Sequence, residues 1–153
     1  MTQEEKDLLI KDLSARLLYK VKFPFNLWNE EKQEEVNTVC TMFSVNTDGY
    51  CEALEESGHI PLEFVKPFLR PMSSMTEEEF TKLKEYSGLI YNHQLHLVSF
   101  QNGAYKCLDF YLNEAPSGAV IGVFDWLNRK MFDYRGLIEK GLALEAPEGM
   151  YNN

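Results

Sequence analysis

Thr2 stands three residues before Glu5, and Leu9, Leu13 and Leu17 follow at helical spacing with Ile10 beside them. The Thr–Glu spacing is that of a capping box, in which each side chain accepts the other residue's backbone N–H. The pattern predicts a helix over about 3–16. The period then changes. Tyr19, Val21, Phe23 and Phe25 alternate with Lys20 and Lys22, as in a half-buried strand. Pro24 within that run implies an edge position or the strand's end, because proline has no N–H for a ladder. Residues 29–35 (NEEKQEE) read as a solvated loop or turn, and the β-branched run 36–46 (VNTVCTMFSVN) as a second strand. Thr47-Asp48-Gly49 predicts a hairpin turn, with Tyr50 to Leu54 returning. Residues 57–72 hold Pro61, Pro67 and Pro71 among bulky apolar residues, which predicts extended chain and short turns.

Thr76 and Glu79 repeat the capping-box spacing. Glu77 and Glu78 suit the positive end of a helix dipole, and Met75 and Phe80 are placed for a hydrophobic staple. Gly88 is a ready stop, so a helix is expected over about 77–87. Across 89–112, Leu95, Leu97 and Ser99 alternate with His96, Val98 and Phe100, and Asn102-Gly103 suits a hairpin onto Tyr105 to Phe110. A helix over 104–112 is the alternative. Val120, Phe124, Leu127 and Met131 then make a helical stripe, predicting a helix over about 118–130. The remainder, from Phe132, reads as short turns with one helical turn around Gly136 to Lys140.

These elements imply an α+β fold in a single globular domain, 1–153. A small, mainly antiparallel sheet from 18–54, with 95–110 as a further candidate, packs against about three helices. Such a sheet can close into a partly open SH3-like barrel.

The charge changes which functions fit. The net charge is −9, with 10 Lys/Arg against 17 Asp/Glu in residues 1–88 and 5 against 7 in 89–153. Phosphate backbones repel such a chain, and no window holds more than two adjacent basic residues, so direct nucleic-acid binding is not expected. The charge is compatible with a protein that mimics nucleic acid or docks on a basic partner, but solubility alone is the usual reason for such an acidic surface. Cys40, Cys51 and Cys107 are odd in number and form no CxxC pair, so reduced buried thiols in the cytoplasm are the natural reading. The N-terminus lacks a signal-peptide core, and no apolar run reaches membrane-spanning length.

Candidate chemistry is sparse. His93 and His96 share a face only on a helix, and no acidic or thiol ligand lies close in sequence, so no metal is expected. His59 follows Gly58 in a loop, and nothing local activates a cysteine beside it. Asn46-Thr47-Asp48-Gly49 begins like a calcium loop, but the rest of the ligand spacing does not follow. No glycine pattern forms a phosphate cradle, and no cofactor is expected. The stretch 124–151 (FDWLNRKMFDYRGLIEKGLALEAPEGMY) is the densest block, with Asp125, Asp133, Arg135 and Glu139 among its aromatics. Trp126, Asp133, Tyr134 and Arg135 are its candidate binding residues: the guanidinium is a rigid fork for carboxylate or phosphate and the phenol a flat face. Exposure of these aromatics would mark a contact surface, and burial a scaffold.

Three segments, MTQEEKDLLIKDLSARL, VKPFLRPMSSMTEEEF and the 124–151 block, resemble a family of small uncharacterised proteins of gut Bacteroides-type bacteria and of their phages and mobile elements. The resemblance implies a stand-alone intracellular accessory protein and carries no catalytic residues. It also implies that 18–56 and 89–120 hold the specificity of this member. The expected function is a non-catalytic binding or adaptor protein acting through a protein partner. The alternatives are a small enzyme with a scattered site such as His59, Asp133 and Arg135, or an acidic anti-defence protein that blocks a nucleic-acid-binding surface.

Overall fold

The computed structural model describes residues 1–87, 97, 98, 100, 101 and 117–151. The chain is α+β and forms two compact units, one of Met1–Leu69 with Leu137–Asn153 and one of Arg70–Gly136.

In the first unit, helix α1 (Gln3–Arg16) begins on the expected capping box: the Glu5 N–H donates to Thr2 Oγ1 and the Thr2 N–H to Glu5 Oε2. Leu9 and Leu13 are buried, as their spacing implied. Asp12 and Arg16 share that face and are also fully buried. They form a two-pronged ion pair, Nε to Oδ2 at 2.8 Å and Nη2 to Oδ1 at 2.9 Å.

Strands β1 (Lys22–Asn29), β2 (Glu34–Val45), β3 (Tyr50–Ala53) and β4 (Glu56–Pro61) form one antiparallel sheet in the order β1-β2-β3-β4, curled into a half-barrel. Phe23, Cys40, Met42, Cys51, Ala53 and Ile60 line its buried face. The extra residue at Phe43 bulges β2, which bends a strand. Pro24 lies on the edge strand, where its missing N–H costs no ladder bond. The first hairpin is longer than the polar run 29–35 suggested. Pairing continues to Asn29 and Glu34, and only Glu30 to Gln33 turn.

Asn46 to Gly49 is the expected hairpin turn, not an ion loop. Asn46 Oδ1 accepts from the Tyr50 N–H, and the Asp48 carbonyl accepts from Lys6 Nζ at 2.7 Å. Gly49 is required by its φ of +91°, and a Cβ there would meet the Lys6 side chain. Pro61 opens a short 3₁₀ turn, Leu62–Phe64. Short strands β5 (Phe68–Leu69) and β6 (Leu144–Glu145) then pair in parallel. The expected helical turn over 136–140 ends in a Schellman motif within this unit. The Leu142 N–H reaches the Leu137 carbonyl, and the Gly141 N–H that of Ile138, with Gly141 at φ +68°.

In the second unit, α2 (Glu77–Ser87) and α3 (Ser117–Arg129) pack together. Met72, Met75, Phe80, Leu83, Phe100, Val123, Trp126, Leu127, Phe132 and Tyr134 form its core. α3 also ends in a Schellman motif, with buried Met131 taking the left-handed position at φ +58°. The strand alternation read across Leu95 to Phe100 is corrected where it can be seen: Leu97, Val98, Phe100 and Gln101 are helical. Leu97 and Phe100 meet the core at a spacing of three while Val98 faces out, a helical and not a strand pattern. The hairpin turn at Asn102-Gly103, its return strand, the alternative helix 104–112, His93, His96 and Cys107 lie outside the described residues.

Arg70 organises this unit. Its backbone N–H donates to the Met131 carbonyl, and its carbonyl accepts from the Asp133 N–H, both at 2.7 Å. Its guanidinium grips Glu79 through two bonds (2.7 and 2.9 Å) and lies 4.2 Å from the Phe132 ring centroid. Glu79 completes the α2 capping box with Thr76. Burial opposes ionisation of Glu79, but the Arg70 and Thr76 hydrogen bonds outweigh it and hold the carboxyl below its ordinary value. A lowered folded-state value means the stabilisation is present above the ordinary carboxylate value and is lost as pH falls from there through the lower folded-state value. Thermal scans below about pH 4.5 should therefore show the second unit weakening, and Glu79→Gln should flatten that dependence. An unchanged acid slope in the variant would remove Glu79 from this role.

Candidate functional site

The four residues singled out in the C-terminal block fall in the second unit. Trp126 is 4% exposed and stacks on Phe132 at 5.7 Å and 11°. Tyr134 is 5% exposed, donates its hydroxyl to Asn128 Oδ1 at 3.1 Å, and packs its ring against Phe124. Asp133 is buried, and the half-buried Arg135 lays its guanidinium 4.5 Å from the Tyr134 ring centroid. Trp126 and Tyr134 thus share one core and Arg135 covers Tyr134, with the Trp126, Asp133 and Tyr134 side chains in the interior. Asp125 accepts from the Tyr86 hydroxyl, bridging α3 and α2. Glu139 is exposed and belongs to the first unit.

His59 also lies in the first unit, on β4, and the structure does not group it with Asp133 or Arg135 in one unit. It is exposed, with Nε2 3.5 Å from Glu52 Oε1 and its ring edge-on to Tyr50. Among the described residues, no three His, Cys, Asp or Glu side chains gather as a metal ion would need. No helix among them is long and apolar enough to cross a membrane.

Cys40 and Cys51 are buried free thiols facing the sheet's core. Burial, then Glu55 and Glu56, push Cys40 up. Burial, then Cys40 and Glu52, push Cys51 up to about 12. At pH 8 such a thiol holds about a thousandfold less thiolate than an ordinary cysteine. With Cys107 replaced by serine, an aromatic disulfide reagent should therefore find two thiols in denaturant and almost none in the native protein. Fast native reaction would show the sheet to open readily.

What the sequence reading passed over is the outer face of the first hairpin. The register puts Lys22, Pro24, Asn26 and Trp28 on one face with Thr41, Val39, Asn37 and Glu35 opposite them. Trp28, near the turn, is 59% exposed and Phe43, at the bulge, 51%; Val39, Tyr50 and Leu54 are also exposed. Asn37 and Asn26 bridge their side chains across this face at 3.0 Å. The available signal was a tryptophan set among asparagines before an acidic turn.

The two sides of this hairpin are finished differently. Val21, Phe23, Phe25 and Leu27 direct their backbone groups to β2, as the Met42 N–H to Val21 carbonyl bond shows. Lys22, Pro24, Asn26 and Trp28 therefore direct theirs outward. That side is blunted: the Lys22 N–H donates to Tyr151 Oη, whose O–H donates on to the Phe68 carbonyl, and Pro24 has no N–H. On β2 the outward set is Glu35, Asn37, Val39 and Thr41. β3 pairs only from Met42 onward. Thr41 is met by the Leu54 N–H and the Glu55 carboxylate, and among the described residues no strand pairs with Glu35, Asn37 or Val39 on that side.

The charge is also lopsided. The first unit holds 8 Lys/Arg against 16 Asp/Glu, or −8, and the second 7 against 8, or −1. Glu30, Glu31, Glu34 and Glu35 cluster at the hairpin's end. No family model, curated protein or solved structure matches the chain.

Proposed function

We propose that the protein is a non-catalytic binding or adaptor protein of the cell interior, acting through a protein partner that docks on the outer face of the β1–β2 hairpin. The observation that carries this is that the hairpin leaves three large apolar side chains exposed along its length: Trp28 opposite Glu35 near the turn, Val39 in mid-strand and Phe43 at the bulge. Exposed tryptophan and phenylalanine are enriched at protein–protein interfaces relative to the rest of a protein's surface. The interior position of Trp126 and Tyr134 supports a scaffold role for the C-terminal block and directs the search to residues 22–61.

The test is affinity capture from cells that make the protein, with the parent chain and a Trp28→Ala/Phe43→Ala variant side by side. Both side chains are exposed, so the variant should fold and melt like the parent. The expected result is a partner captured by the parent and lost by the variant. Retention of the same partner by the variant, or no partner at all, would overturn the reading. The first unit's −8 charge also favours the anti-defence alternative, in which the captured partner is a nucleic-acid-binding protein that duplex DNA displaces.

A further inference from the structure

We infer that the outer edge of β2, from Glu35 to Val39, accepts an extended basic peptide segment as an added strand. This rests on the reading of the hairpin as a protein-binding surface, and names its partner. The first argument is the contrast between the two edges. Sheet edges are usually blunted by proline, by bulges or by covering groups, because an open row of N–H and C=O groups invites another chain. β1 has the Tyr151 hydroxyl at Lys22 and the missing N–H of Pro24 at its edge, so of its four outward residues only Asn26 and Trp28 offer both backbone groups. β2 is capped at Thr41 by Glu55, and among the described residues it is then open over three consecutive outward-facing positions, Glu35, Asn37 and Val39. A peptide strand laid there would bond to alternate backbone groups, as in strand-addition complexes.

The second argument is charge. Glu34 and Glu35 lie on β2 itself, Glu30 and Glu31 in the turn beyond, and Glu55 at the other end of the open stretch. Lys32 is the one cation in that turn. The exposed Trp28 indole sits directly across from Glu35, so a Lys or Arg beside one carboxylate has an aromatic face within reach. A second copy of this chain would bring a unit of charge −8 against another. A cationic strand is attracted by the same groups.

The test is fluorescence anisotropy of labelled peptides of about eight residues against the full chain. One peptide alternates Lys and Val, one alternates Glu and Val, and one is the Lys/Val peptide with every amide N-methylated, which keeps its charge and loses its strand-pairing donors. The Lys/Val peptide should bind, and the other two at least about tenfold more weakly. Its affinity should fall as salt rises from about 0.05 to about 0.3 M. Asn37→Pro removes an outward N–H and leaves the ladder to β1 in place, as Pro24 does on the other strand, and should weaken binding about tenfold. Glu34→Lys/Glu35→Lys should do the same, and decides the question if the proline variant fails to fold. Equal binding of the N-methylated peptide, or undiminished binding by the double-lysine variant, overturns the inference. If the Glu/Val peptide binds instead, or the chain sediments as a dimer that Asn37→Pro dissociates, the edge is a docking site and its basic occupant is overturned. If no peptide binds and Trp28→Ala/Phe43→Ala leaves partner capture intact, the binding reading itself falls.

Discussion

Replacing Asp12 with alanine is expected to cost the first unit about 3–5 kcal/mol, a large part of an ordinary domain's stability. The carboxylate and the Arg16 guanidinium are both fully buried and share two hydrogen bonds one helical turn apart. Taking two charges out of water is costly, and each depends on the other to offset it. Alanine leaves the guanidinium in the interior without the carboxylate that neutralises it. The pair as a whole is a different matter. Asp12→Leu with Arg16→Met removes both charges and keeps the volume apolar, so the double variant should lie within about 1 kcal/mol of the parent or be more stable. Urea denaturation followed by circular dichroism measures both. A cost below about 1 kcal/mol for Asp12→Ala would mean that the pair contributes no more than a solvent-exposed one.

The parts of the fold legible in the sequence are those set by short-range chemistry. Thr2 with Glu5 and Thr76 with Glu79 placed the starts of α1 and α2, because the partners of a capping box stand only three residues apart in the chain. Pro24 marked an edge strand for a similarly local reason. The parallel pairing of β5 with β6 joins residues far apart in the chain, and nothing at either position announces the other. The Asp12–Arg16 pair had a readable spacing, since Leu9, Asp12, Leu13 and Arg16 fall on one helical face. A charge on an apolar stripe is more often read as the stripe's border. Aromatic density at 124–151 drew attention to a recognition block, but density does not distinguish interior from surface: Trp126 is 4% exposed and Trp28 59%. Only the fold separates two tryptophans whose local sequences look equally polar.

That separation carries the second large effect. Phe132→Ala is expected to destabilise the second unit by about 3–5 kcal/mol. The ring is wholly buried, stacks on Trp126 and supports the Arg70 guanidinium. Its removal opens a cavity and takes away the surface that holds the Arg70 fork over Glu79, so the loss combines packing with a weakened ion pair. Trp126→Ala should fall in the same range for the same reason. Trp28→Ala, by contrast, should change stability by no more than about 0.5 kcal/mol. Thermal or chemical unfolding of the three variants, measured together with partner capture, sets the two aromatic groups apart. A scaffold residue loses stability first and binding only with it. A contact residue loses binding at unchanged stability. If Phe132→Ala is tolerated while it abolishes capture, the C-terminal block is the contact surface, and the hairpin face is not.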